Sequence, residues 1–115
     1  MRTGNLAGLA LDREQWAEAE SLAREALTLA EKVGRQELIA WDCRVLAKAL
    51  LRQSRSRLQR DEIDEQEKSR QRRDLQEAEG LSRRAVEIFT RLRYGDLPEA
   101  QETLAEIESA MMNDE

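Results

Sequence analysis

Apolar residues recur along this chain at helical spacing, in stripes separated by short polar breaks. Leu22, Ala23, Ala26, Leu27 and Ala30 form one stripe, and Leu81, Ala85, Val86, Ile88 and Phe89 a second. Leu104, Ile107, Met111 and Met112 form a third. Steps of three and four residues place such side chains on one helix face. Each stripe follows a similar phrase of a large apolar residue, any residue, Glu, Ala and then Glu or Gln: Trp16–Glu20, Leu75–Glu79 and Leu97–Gln101. The pattern predicts helices over 3–12, 15–33, 36–58, 62–93 and 97–112. Gly34 stands where a C-terminal capping glycine belongs. Gly95-Asp96 is expected to break the fourth helix. Pro98 suits the first turn of the fifth, where its missing N–H costs nothing.

A second motif lies upstream of the first two phrases. Leu6-Ala7-Gly8-Leu9-Ala10 precedes one, and Leu46-Ala47-Lys48-Ala49-Leu50 the other. Ala7 and Ala47 are small enough to let a neighbouring helix approach closely. Each unit therefore reads as a first helix with a small-residue contact, a turn, and a second helix. At these residues the chain resembles the tetratricopeptide repeat (TPR) family. The family's first-helix pattern is matched by Leu6, Ala7 and Ala10 and again by Leu46, Ala47 and Leu50. Its second-helix pattern is matched by Trp16, Ala19, Ala23 and Ala26 and by Leu75, Ala78, Ser82 and Ala85. The resemblance implies an all-α fold of antiparallel helical hairpins stacked as a short α-solenoid. One domain is expected over 1–115: a first repeat over about 1–34, a second over about 35–94, and a capping helix over 96–112.

The chain departs from the family in several places. Leu6 and Leu46 are 40 residues apart rather than the usual ~34, so the units resemble the longer, degenerate repeats. The proline expected after each second helix is absent. The second unit carries an insert over 54–72, polar except for Leu58 and Ile63, with six positive and five negative residues. Two pictures fit the insert. Partial helix with a tip near Arg60–Asp64 is favoured by its lack of Gly and Pro and by opposite charges four apart, as in Arg57/Asp61, Arg60/Asp64 and Asp64/Lys68. A disordered loop is the other picture. A solvated, tolerated insertion outranks a docking arm. Stacked hairpins normally need about three repeats, so the chain is expected either to belong to a longer array or to bury an exposed end in a homo-oligomer.

Composition narrows the function. Ala, Leu, Glu, Arg and Gln dominate, all strong helix formers, and β-branched residues are scarce. The net charge is −5 with acidic and basic residues interleaved, which argues against nucleic acid as a partner. The near-neutral insert also counts against an arginine-based nucleic-acid site. No apolar run approaches the ~18 residues a membrane span needs. A single cysteine, Cys43, excludes an internal disulfide and fits a reducing, cytoplasmic setting; its place matches a core slot, so a buried small residue is expected. There is no histidine, which removes Ser/His/Asp and Cys/His nucleophile systems and the commonest metal ligand. The many paired carboxylates, such as Glu77/Glu79, fall on polar helix faces and read as solvated surface. No catalytic residue, cofactor site or metal site is expected, and the chain is not expected to be an enzyme.

The resemblance implies where binding would occur, because in the family the first helix of each unit lines a concave groove. The corresponding residues of the second unit are Trp41, Arg44, Lys48, Leu51 and Arg52. Cations beside a tryptophan would suit a protein or peptide partner that is acidic or offers a C-terminal carboxylate. The plainer reading packs Trp41 in the core and leaves the cations solvated. Gly4, Gly8, Leu11 and Asp12 correspond in the first unit and offer little. Trp16 is expected to pack between helices. The chain thus reads as a protein–protein interaction scaffold, part of a larger regulatory protein in one version. The alternative is a self-associating structural assembly unit without a peptide ligand.

Overall fold

The computed structural model describes the backbone of residues 3–58 and 65–112, and side chains from residues 6–56 and 65–112. Among the described residues five helices make up the fold: α1 (Thr3–Asp12), α2 (Trp16–Val33), α3 (Gln36–Leu58), α4 (Glu65–Leu92) and α5 (Leu97–Met112). No strand occurs among the described residues. The all-α expectation therefore holds, with helix bounds within a few residues of those read from the apolar periodicity. The proposed insert tip at Arg60–Asp64 and its charge pairs lie outside the described residues.

Alanine sets how closely the helices approach. Ala19, Ala23, Ala26 and Ala30 run along the buried side of α2, and Ala7, Ala40, Ala47, Ala49, Ala78, Ala85 and Ala100 are buried on the other four helices. With so little side chain at the seams, larger residues from the next helix fill the space. Leu46, Leu50, Leu51, Leu75, Phe89 and Ile107 do so and are almost wholly enclosed. Two apolar clusters result, and Leu27, Trp41 and Leu81 pack against both. Each helix packs on the next in sequence, and α3 also touches α1 and α5. The central helix α3 is thus covered on most of its circumference, whereas α1, α3 and α5 share one side of the molecule. Trp16 packs against the main cluster, as expected.

Helix ends follow one local solution. The Gly34 N–H donates to Ala30 O at 2.9 Å, and Gly34 has φ of 72°. This is the left-handed position that glycine occupies without a Cβ penalty. The fourth helix ends differently from expectation. Its left-handed residue is Arg93, with φ of 55°, and Gly95 has no positive φ. The Arg93 N–H donates to Thr90 O, and the Tyr94 N–H donates back to Phe89 O at 3.0 Å. That is a Schellman closure, reinforced by stacking of Phe89 on Tyr94 with ring centroids 5.5 Å apart. The aromatic contact fixes the stop two residues before the glycine. Glu14, with φ of 60°, closes α1 in the same way through Gln15 N–H to Ala10 O.

Ion pairs tie the hairpins together on the outside. Arg24 of α2 donates to both carboxylate oxygens of Glu77 on α4, at 2.8 and 2.9 Å, and to Glu20 of its own helix. Arg84 of α4 reaches Glu31 of α2 at 2.9 Å, and Arg83 reaches Glu108 of α5 at 3.0 Å. Hydrogen bonding to Arg24 holds the Glu77 carboxyl below its usual range. Exposed pairs of this kind are worth ~0–1 kcal/mol each, so they select helix register more than they stabilise. The ends of the insert are not solvated as expected. Ser54 and Gln71 are buried, because α3 and α4 continue their packing into it.

Candidate functional site

The shared side of α1, α3 and α5 carries a groove with a cavity volume of about 590 Å³. Its floor and one wall come from α3, through Trp41, Arg44, Val45 and Lys48. Residues 41, 44, 45 and 48 are one or two helical turns apart, so a single face of α3 presents them together. The opposite wall is α1, with Gly8, Leu9, Leu11 and Asp12, and Glu99 of α5 stands at the far rim.

Gly8 makes the wall possible. A Cβ at this position would stand 3.1 Å from Trp41 Cη2 and 3.4 Å from Cζ2. The absence of a side chain therefore lets the edge of the indole's six-membered ring approach α1 closely. Trp41 is half-buried there. The Arg44 guanidinium stands over its ring, with Cζ 5.8 Å from the ring centroid. This is within cation–π range. The Arg44 side chain is only 13% exposed, and its Nη2 approaches Glu99 at 3.9 Å. Its Nε is buried without a hydrogen-bond partner in the protein. The guanidinium is held in place by its packing, and its Nη2 reaches Glu99 only at the outer limit of an ion pair. Lys48 lies one turn further along the same face, half-buried.

Three of the five residues expected to bind a partner, Trp41, Arg44 and Lys48, therefore converge on one groove. The other two do not. Leu51 is fully buried in the main cluster, because α3 is flanked on that side by α5 and the chain has already turned away from the Lys48 face. Arg52 is committed within the protein: with Arg55 it faces Glu106 of α5, at 4.0 and 3.5 Å. Reading 51 and 52 as one stripe merged positions that lie ~100° apart around a helix. Trp41 satisfies neither simple expectation, since it packs against both apolar clusters and also lines the groove.

Sequence reasoning undervalued Gly8, Leu11 and Asp12 and missed Glu99. For Gly8 the signal was present, a glycine inside a helix and not at its end, which commonly marks a close approach. Gly4 lies where no side-chain surroundings are described. Cys43 is fully buried, and burial pushes its thiol up to about 11, so it holds its proton and is a poor nucleophile at neutral pH. Among the described residues no group of His, Cys, Asp and Glu is arranged to hold a metal ion, and no helix is long and apolar enough to cross a membrane. Asp42, one residue along from Trp41, is buried at 3% exposure on the side of α3 away from the groove. No family model, curated protein or solved structure matches this chain.

Proposed function

We propose that this chain is a protein–protein interaction scaffold. In this reading it is a TPR-like stack of helical hairpins whose groove on α1, α3 and α5 takes an acidic peptide segment or a C-terminal carboxylate. The observation that carries it is the convergence of Trp41, Arg44 and Lys48 on that groove, where the Glu99 carboxylate stays 3.9 Å from the Arg44 guanidinium. A carboxylate arriving there would displace the weak, exposed contact to Glu99 and form a charge-assisted bond over an aromatic face. Asp12 and Glu99 at the rim would repel a uniformly acidic segment and so favour one or two acidic groups in register with Arg44 and Lys48. Alternation of the helices supports the resemblance to the repeat family, since the first, third and fifth share the groove side as the first helices of successive units would.

The absence of histidine and the protonated, buried Cys43 support a binding role over catalysis. A lone reduced cysteine suits a cytoplasmic setting, and the module fits within a larger regulatory protein. The test is a peptide array containing internal acidic motifs and free C-terminal carboxylates, read with the wild type and with Arg44→Glu/Lys48→Glu. Selective binding by the wild type, lost in the double variant, is expected. Binding equal in both proteins, or none by the wild type, overturns the reading.

A further inference from the structure

The two hairpins, although similar in sequence, differ in what covers them. Leu46 of α3 is 1% exposed, enclosed by the first hairpin, while Leu6, its counterpart 40 residues earlier, is 38% exposed. Ile88 of α4 is buried, while Leu29, at the matching place in α2, is 50% exposed. Val33, one turn beyond Leu29, is 67% exposed. These residues share one edge. On α2, Arg24 and Glu31 point towards α4 through their ion pairs, and Leu22, Leu29 and Val33 occupy the opposite flank. On α1, Leu6 lies nearly opposite Gly8, which faces α3. The first hairpin therefore exposes Leu6 and Leu29 where the second hairpin buries Leu46 and Ile88.

We propose that this edge docks a second copy of the chain through a twofold antiparallel pairing of α2 with α2. Two observations select that occupant. First, the rim is self-complementary. Glu25 and Lys32 are exposed, engage no described residue, and bracket Leu29. An antiparallel pairing centred beside Leu29 sets each Leu29 against that of the partner subunit and lays Glu25 along Lys32 of the partner subunit, twice over. Secondly, the other end of the stack offers no match. The outer face of α5 exposes Gln101, Glu102 and Ser109 beside the small Pro98 and Ala105, and the exposed large apolar residues of α4 and α5, Leu92 and Met112, stand at the helix ends and form no stripe. Head-to-tail stacking would set Leu6, Leu29 and Val33 against that polar face. An edge-to-edge pair buries them and closes. The pairing leaves the groove open, so it stands independently of the binding reading.

The experiment is light scattering coupled to gel filtration, from about 1 to several hundred micromolar, on the 115-residue chain and three variants. The wild type is expected to approach twice its 13.3 kDa mass. Leu29→Glu is expected to stay monomeric with unchanged helical circular dichroism, since Leu29 is already half exposed in the monomer and belongs to neither apolar cluster. Glu25→Lys is expected to weaken dimerisation roughly tenfold by setting lysines together, and Glu25→Lys/Lys32→Glu to restore it. A wild type that is monomeric throughout, or larger than a dimer, overturns the proposal. So does a dimer that survives Leu29→Glu, or a charge swap that fails to restore what Glu25→Lys weakens. Peptide binding plays no part in these outcomes, so failure here and failure of the groove are separately visible.

Discussion

Replacing Asp42 with Asn tests the packing around α3 through a single proton. Asp42 is 3% exposed in the middle of the most enclosed helix, and no described residue donates a hydrogen bond or lends a positive charge to it. Burial alone raises its carboxyl from 3.8 to about 6. The folded state thus resists the charged form. Above about pH 6 the folded protein must hold a carboxylate that the unfolded chain solvates freely, and this lowers stability. As the pH falls from about 6 towards 3.8 the folded state takes up the proton first, and the penalty fades. At about 1.4 kcal/mol per pH unit of displacement, the penalty at pH 7 is ~3 kcal/mol. Asn resembles the protonated acid in size and polarity and does not titrate. The wild type and Asp42→Asn should therefore be nearly equal in stability near pH 4, and the variant should be ~2–3 kcal/mol more stable at pH 7. Urea unfolding followed by circular dichroism, at one fixed protein concentration and at intervals from pH 4 to 8, gives the difference between the two proteins. Other carboxylates cancel in that difference. A profile flat across this range would show that Asp42 is solvated or paired, and that α3 is not enclosed as described.

The remaining predictions concern glycine and the helix ends. Gly80→Ala should raise stability by ~0.5–1 kcal/mol in thermal unfolding, because nothing lies within 4 Å of its added Cβ and alanine favours the helix. Gly8→Ala should gain less than that or lose stability. In a Trp16→Phe background it should also shift the emission of Trp41, whose indole must move from 3.1 Å. Arg93→Gly should stabilise by ~1 kcal/mol by relieving a left-handed non-glycine residue at the end of α4; a fall in the unfolding temperature would contradict the closure described there. Cys43 should react with a thiol probe at pH 8 only as fast as the protein unfolds, since its thiol is enclosed and protonated; rapid labelling of the folded chain would count against it.

The fold was legible wherever the apolar period was long and unbroken. Stripes such as Ala19, Ala23, Ala26 and Ala30 carry both the helix and its buried side, so α2, α3 and α5 follow almost directly from spacing. The end of α4 was not legible in the same way. A glycine at 95 looks like a stop, but the stop is made by Phe89 and Tyr94 stacking across an Arg93 whose left-handed backbone has no composition signal. The groove was half legible. Residues 41, 44 and 48 share a face by helical geometry alone. Assigning Leu51 and Arg52 required knowing that α5 returns against α3, a long-range contact that one helix's periodicity does not contain. Leu6 and Leu46 illustrate the limit most clearly. They hold the same place in two similar units, and only the position of each unit within the stack decides that one is covered and the other exposed.

The binding reading meets its most direct test in Trp41 fluorescence, recorded in a Trp16→Phe background during titration with an acidic peptide selected by the wild type. The account predicts a saturable change in Trp41 emission at low salt, weaker at high salt and absent in Arg44→Glu/Lys48→Glu. Saturable binding of the same peptide with Trp41 emission unchanged, or with the double variant binding equally well, would place the partner elsewhere on the molecule.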